Sequence, residues 1–150
     1  MKSKLYTILL LSFPLFISCK KWLPENRIDG TWVLTEVEKR RPFSNETVYT
    51  LYQEGQFSFN SNGMAAYNDN YGLMQGSWQM RDVQGPVYYD ENGNRQSDHS
   101  RVLWIQLYDF NNNRVIDWYF DRFDFRSSGD RLVAFIESPS YTYRYTFRRL

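Results

Sequence analysis

The last nine residues before the C-terminal leucine limit the fold more than any other stretch. Tyr141, Tyr143, Tyr145 and Phe147 fall on one parity, and Thr142, Arg144, Thr146 and Arg148 on the other. An alternation of that kind gives a strand one apolar and one polar face, whereas on a helix it would scatter the rings around the axis. The same period of two recurs across residues 31–38, 47–52, 56–59, 64–67, 76–81, 102–109, 115–126 and 132–137. Asn60-Ser61-Asn62-Gly63 separates two of these runs and reads as a hairpin turn, because Asn and Gly tolerate positive φ. Between residues 115 and 126 the apolar phase switches from Ile116, Trp118 and Phe120 to Phe123 and Phe125. A bulge near Asp121-Arg122 repairs that shift. No segment carries a sustained apolar stripe at helical spacing. The expectation is an all-β chain: eight or nine antiparallel strands in a single closed or nearly closed barrel, with a flattened sandwich as the other arrangement. Residues 82–101 interrupt the rhythm, and Val87-Tyr88-Tyr89 ahead of Asn92-Gly93 marks a small protruding hairpin there.

At 150 residues the chain has room for one domain. Its 18 Lys and Arg nearly balance 17 Asp and Glu, so no basic field points to nucleic acid. One cysteine and one histidine leave no material within a single chain for disulfides, Cys/His zinc sites or a Cys–His nucleophile pair. No metal or other cofactor is expected.

The N-terminus reads as an address. Lys2 and Lys4 precede an uncharged, mostly apolar run over residues 5–17. As a helix that run rises roughly 20 Å, short of a ~30 Å hydrocarbon core, which suits the apolar region of a signal peptide better than a span. It ends in Ile17-Ser18-Cys19, and a small residue before a lone cysteine at that place resembles the bacterial lipobox. The resemblance implies cleavage after residue 18 and lipid on the sulfur of Cys19, with two or more acyl chains giving stable anchorage. The expected divisions are residues 1–18 as signal peptide, 19–27 as lipidated tether and 28–150 as the folded domain. The expected location is the bacterial outer membrane. Cys19 is followed by Lys20 and Lys21 and by no acidic run, which favours the periplasm-facing side over the cell surface.

Gly30-Thr31-Trp32-Val33-Leu34, Phe57-Ser58-Phe59 with Gly63, Gly76-Ser77-Trp78, and the aromatic closing strand resemble the small lipocalin-like domains of bacterial lipoproteins. In such calycin-type barrels the first Trp plugs one end beneath a basic side chain of the last strands. The resemblance offers Arg144 or Arg148 for that part. It also implies Gly30, Trp32, Gly76 and Trp78 as motif residues and a cavity at most, without naming a ligand.

The candidate chemistry is thin. Tyr49, Tyr52, Tyr67, Trp104, Tyr108, Trp118, Tyr143 and Tyr145 have the rings to line a pocket or stack on a sugar, and equally to pair across strands as core. Trp118, Tyr143 and Tyr145 are the candidate ligand-lining set. Asp117 and Asp121 share strand parity, yet at ~3.4 Å per residue their Cα atoms lie ~13 Å apart, too far for a glycosidase pair. Asp90-Glu91-Asn92-Gly93-Asn94 places its glycine fourth, where a calcium loop needs it sixth, and reads as a turn. His99 reads as solvated. With no nucleophile–base pattern, enzymatic activity is not expected. The leading functional expectation is non-enzymatic binding of a small apolar or amphipathic molecule. The alternative is a filled-core module that recognises an envelope protein or glycan through residues 82–101.

Overall fold

A computed structural model describes residues 27–89 and 91–150. The signal peptide, Cys19 and most of the tether lie outside the described residues. The chain is all-β, and its strands form one antiparallel sheet of ten. In chain order they are β1 (Gly30–Arg41), β2 (Ser44–Thr47), β3 (Gln56–Phe59), β4 (Met64–Asp69) and β5 (Gly72–Tyr89). Next come β6 (Arg95–Asp109), β7 (Arg114–Phe120), β8 (Arg122–Arg126), β9 (Arg131–Ser138) and β10 (Tyr141–Arg149). The ladder runs β7-β6-β5-β4-β3-β1-β10-β9-β8, and β2 adds to the far half of β1.

The outermost strands of that path, β7 and β8, are neighbours in sequence. Only Asp121 separates them, and its N–H donates to the Phe135 carbonyl at 2.8 Å. The expected phase repair is thus a change of partner: β7 pairs β6, and past Asp121 the chain pairs β9 instead. The sheet therefore curls until its two ends approach, but among the described residues no ladder joins β7 to β8 and the sheet is not closed.

Two expectations are adjusted. Residues 82–101 are no separate insertion, since they extend β5 and β6 into one long hairpin with a register shift between Gln84 and Val87. Residues 47–52 do not form one strand. β2 ends at Thr47, and Leu51–Gln53 is a 3-10 turn, η1. Local hydrogen bonding explains the difference. The Thr50 N–H donates to Gln53 Oε1 at 2.9 Å, while Gln53 Nε2 reaches back to the Thr35 carbonyl at 3.2 Å. A side chain that caps its own turn competes with the sheet ladder.

The inner face is packed with rings. Trp32, Phe57, Phe59, Tyr67, Phe120 and Phe147 are fully buried, joined by Leu34, Met74, Leu103, Ile105, Leu107 and Leu132. Phe57 is their centre, 4.6 Å from Tyr67 and 5.6 Å from Phe147, ring to ring. Small curled sheets leave space for little more than side chains inside, and here aromatic side chains occupy it.

Candidate functional site

The curled sheet has two ends of different make. At the end where β1 starts, Trp32 is completely buried and its indole N–H donates to the Ile28 carbonyl at 2.7 Å. Phe125 packs beside it, and the Arg149 guanidinium lies over the ring, 4.5 Å from its centroid. Arg149 also donates to the carbonyls of Asp29 and Arg27. The basic partner of the opening Trp is therefore Arg149, and neither Arg144 nor Arg148. Parity explains the correction: residue 149 shares the inward phase of Tyr145 and Phe147, whereas 144 and 148 point outward. Arg144 instead pairs with Glu38 at 2.9 Å, and Arg148 belongs to the same outward phase. Gly30 has φ +126°, and a Cβ there would lie 2.7 Å from Arg149 Nη1. Its hydrogen side chain leaves the path for that guanidinium.

The other motif residues support the same end. Trp78 is buried, donating its indole N–H to the Asn60 carbonyl at 2.9 Å with its ring edge-on to Phe59. At Gly76 the β6 backbone leaves no room for a side chain, since a Cβ would fall 2.0 Å from the Gln106 carbonyl oxygen.

The opposite end, hereafter the mouth, gathers η1, the β4–β5 turn and the β6–β7 turn. Arg114 joins the two turns. Its Nη1 lies 2.7 Å from Asp69 Oδ2, its Nε 3.4 Å from Asp109 Oδ2, and its Nη2 donates to the Gly72 carbonyl at 3.3 Å. Asn112 Nδ2 bonds Asp109 at 2.7 Å and the Tyr71 carbonyl at 3.2 Å. The carboxylate side chains of Asp69 and Asp109 are only 2% and 4% exposed, against 20% for Arg114. Burial pushes the Asp69 carboxyl up, but the Arg114 hydrogen bond, the Tyr71 N–H and the arginine charge outweigh it and hold it low. Asp109 is also held low, first by the Asn112 side chain, then by backbone N–H groups and Arg114. Burial, followed by the neighbouring Asp69, raises the Tyr67 hydroxyl far above its usual range.

In front of this network is a cleft of about 400 Å³ lined by Tyr49, Thr50, Leu51, Tyr52, Tyr71 and Arg114. That volume lies in the range of small-molecule sites. Its wall is fixed from behind: Tyr52 donates to the Val115 carbonyl at 3.2 Å and Tyr67 to the Leu51 carbonyl at 3.3 Å. Tyr49, Leu51 and Tyr71 nevertheless keep 60% or more of their surface in solvent. Two other clefts have more charge about them. One, about 450 Å³, lies between β8 and the far parts of β5 and β6, with Arg27, Asp82, Arg101 and Asp124 among its walls. The second, about 290 Å³, sits between the β1–β2 and β9–β10 turns.

The candidate lining residues lie behind the mouth rather than on any of these walls. Trp118 meets Tyr52 edge-on at 5.3 Å and Tyr145 at 5.2 Å, so it forms a second layer beneath the cleft. Tyr145 is 9% exposed, and Tyr143, half-buried, continues the row toward Lys39, whose ammonium is 5.4 Å from its ring. Asp117 accepts the Trp104 indole N–H at 2.6 Å, and Asp121 accepts the Glu137 N–H at 2.7 Å, so each carboxylate holds a sheet position. His99 lends its backbone to β6; its side chain lies outside those described. The mouth constellation of Asp69, Asp109 and Arg114 escaped sequence reading, because these residues come together only through two turns. The one sequence trace was the Asx pattern of the turns themselves, Asp69-Asn70-Tyr71-Gly72 and Asp109-Phe110-Asn111-Asn112-Asn113.

Comparison with protein-family models, with curated proteins and with solved structures found no match. Fold and site together define an all-β domain with a ring-filled interior and an aromatic cleft at one end.

Proposed function

We propose that this chain is a lipid-anchored lipoprotein of the bacterial envelope whose lipocalin-like, barrel-shaped domain binds a small amphipathic molecule. The seat of binding is the mouth cleft, because the interior is already filled by its own rings. The observation that carries the reading is the exposed Tyr49-Leu51-Tyr71 wall over a fixed Arg114 floor. Exposed large apolar side chains gathered at a concave site are the usual signature of a ligand or partner surface. The Gly30-Trp32 opening beneath Arg149 supports the lipocalin-like reading, and the Ser18-Cys19 junction supports the anchor. Arg27 lies at the Trp32 end, so a tether of eight residues from Cys19, at most roughly 28 Å long, joins the domain at the end opposite the mouth.

Two measurements test this. Metabolic labelling with a fatty-acid analogue labels the chain and fails to label Cys19→Ala; equal label in both removes the anchor. A melting screen of amphiphiles and neutral oligosaccharides against the mature chain finds a saturable stabiliser, worth about 2.7 kcal/mol at a hundredfold excess over Kd. A broad screen that leaves the melting point unmoved removes the ligand.

A second reading has one observation in its favour. The long β5–β6 hairpin carries Val83 and Tyr89 exposed, the latter at 70%. A filled-core module would use residues 82–101 to recognise an envelope protein or glycan. If deletion of residues 84–99 abolishes capture of such a partner while the mouth binds nothing, that reading replaces the first.

A further inference from the structure

The chemistry of the mouth narrows the ligand, an inference that rests on the mouth being a binding site. Two of its rings, Tyr49 and Tyr71, expose most of their surface, and Leu51 lies between them in sequence and equally open. The face of an aromatic ring is negative and its preferred neighbours carry weakly positive hydrogens. Apolar C–H groups satisfy that preference as well as cations do.

The floor decides between them. The group that reaches the cleft is Arg114, while the carboxylates of Asp69 and Asp109 are buried behind it. Arg114 also stands over the Tyr71 ring at 5.8 Å, so that ring already has its cation. A cationic ligand would meet a guanidinium first, and the carboxylate at the rim, Glu54, is already engaged by the Tyr49 hydroxyl.

An anionic ligand fares no better. The Arg114 charge is offset twice over by carboxylates held ionised, and Glu54 adds a third negative charge where it accepts the Tyr49 hydroxyl hydrogen. The ion pairs leave Arg114 with unassigned N–H groups: each terminal nitrogen carries two hydrogens and donates one to Asp69 or Gly72. The cleft thus offers aromatic faces and hydrogen-bond donors, while the carboxylates about it are already engaged by Arg114, Asn112 or Tyr49.

We infer that the mouth binds an uncharged sugar ring, its C–H face stacked on Tyr71 or Tyr49 and its hydroxyl oxygens taking hydrogen bonds from Arg114. A cleft of about 400 Å³ open to solvent admits one ring of a longer chain. The ligand class is a neutral oligosaccharide.

The test uses the mature lipoprotein in lipid nanodiscs, titrated calorimetrically with chitotetraose, cellotetraose and maltotetraose. Choline chloride, sodium butyrate and a short neutral alkyl alcohol serve as the cationic, anionic and purely apolar probes. At least one tetrasaccharide binds saturably, and Tyr71→Ala weakens it about tenfold, the scale of one aromatic contact. Tyr49→Phe, which keeps the ring and loses the hydroxyl, changes it less than threefold. Both side chains are exposed, so both variants melt like the parent, and a loss of binding is not a loss of fold. Choline or butyrate binding in place of every sugar overturns the inference and leaves the mouth as a site. The same holds if the alcohol alone binds in a Tyr71-dependent way. If none of the six probes binds, the inference and the mouth reading both fall.

Discussion

Trp32 and Arg149 at one end of the sheet, and Tyr71 and Arg114 at the other, each set an arginine over an aromatic ring, to opposite effect. At the first end the indole is wholly buried, the guanidinium lies over its face, and its N–H groups are spent on the Asp29 and Arg27 carbonyls. At the second the ring stands largely in solvent, and the guanidinium is held from behind by two buried carboxylates with its front left open. Ring burial drives folding in the first case. In the second the stability of the network is used to keep a ring and a donor exposed, which costs apolar surface left in water. An arginine over an aromatic ring is therefore not by itself a mark of closure or of binding; what stands behind the guanidinium decides.

The comparison breaks most sharply at Trp32. Trp32→Ala removes the largest buried ring and costs about 3–5 kcal/mol, read from denaturant unfolding. An unchanged midpoint would mean that the Trp32 end is not packed as described. At the mouth, Arg114→Met strands Asp69 and Asp109 without their cation and costs about 3 kcal/mol. The same variant changes the pH profile. Both carboxyls lie below their ordinary values in the fold, so the stability they give is complete above about pH 4, where the unfolded chain's carboxyls titrate. It is lost as pH falls through their lower folded values. Without Arg114 the carboxyls move up, and melting points measured from pH 7 to 3 begin to fall at a higher pH than in the parent.

Gly30→Ala comes next. It forces a Cβ into a φ of +126° and against Arg149, at about 1–3 kcal/mol, while Gly93→Ala, whose Cβ would meet nothing, pays only for its own positive φ. A larger loss at Gly93 would remove the Arg149 passage as the reason for Gly30. The smallest stability effect is Tyr71→Ala, within about 0.5 kcal/mol, although it is the change expected to hurt binding most. If Tyr71→Ala instead destabilises as Trp32→Ala does, the contrast between the two ends collapses.

The alternation of residues 141–149 carries into the structure as a strand, with Tyr145 and Phe147 buried and Arg148 exposed, although Thr146 between the two rings is buried as well. Asp121 was legible because a phase slip needs a physical break, and the break is there. Arg149 is equally legible by parity, since it continues the inward row of Tyr145 and Phe147, whereas Arg144 and Arg148 lie on the polar phase. Residues 47–52 misled because Val48, Tyr49 and Tyr52 have strand-like side chains, while Gln53, just beyond, sets the turn by binding Thr50. The mouth could not be read at all. Asp69, Asp109 and Arg114 are separated by hairpins whose lengths decide whether three charges meet, and composition contains no such lengths. The all-β class was therefore plain from periodicity, whereas the site was a matter of where turns fall.

The pairing of β1 with β10 sets an order of events in time. Residues 30–41 leave any machine that delivers the chain from its N-terminus about a hundred residues ahead of their ladder partner, residues 141–149. Until Arg149 arrives, Trp32 has no lid and β1 lacks its neighbour on that side, however completely β3 to β6 have paired. Contacts that span more than a hundred residues must wait for the whole chain and close slowly when it is present. In a polypeptide with this connectivity one edge of β1 stays open until residues 141–149 arrive, and the domain is finished only then.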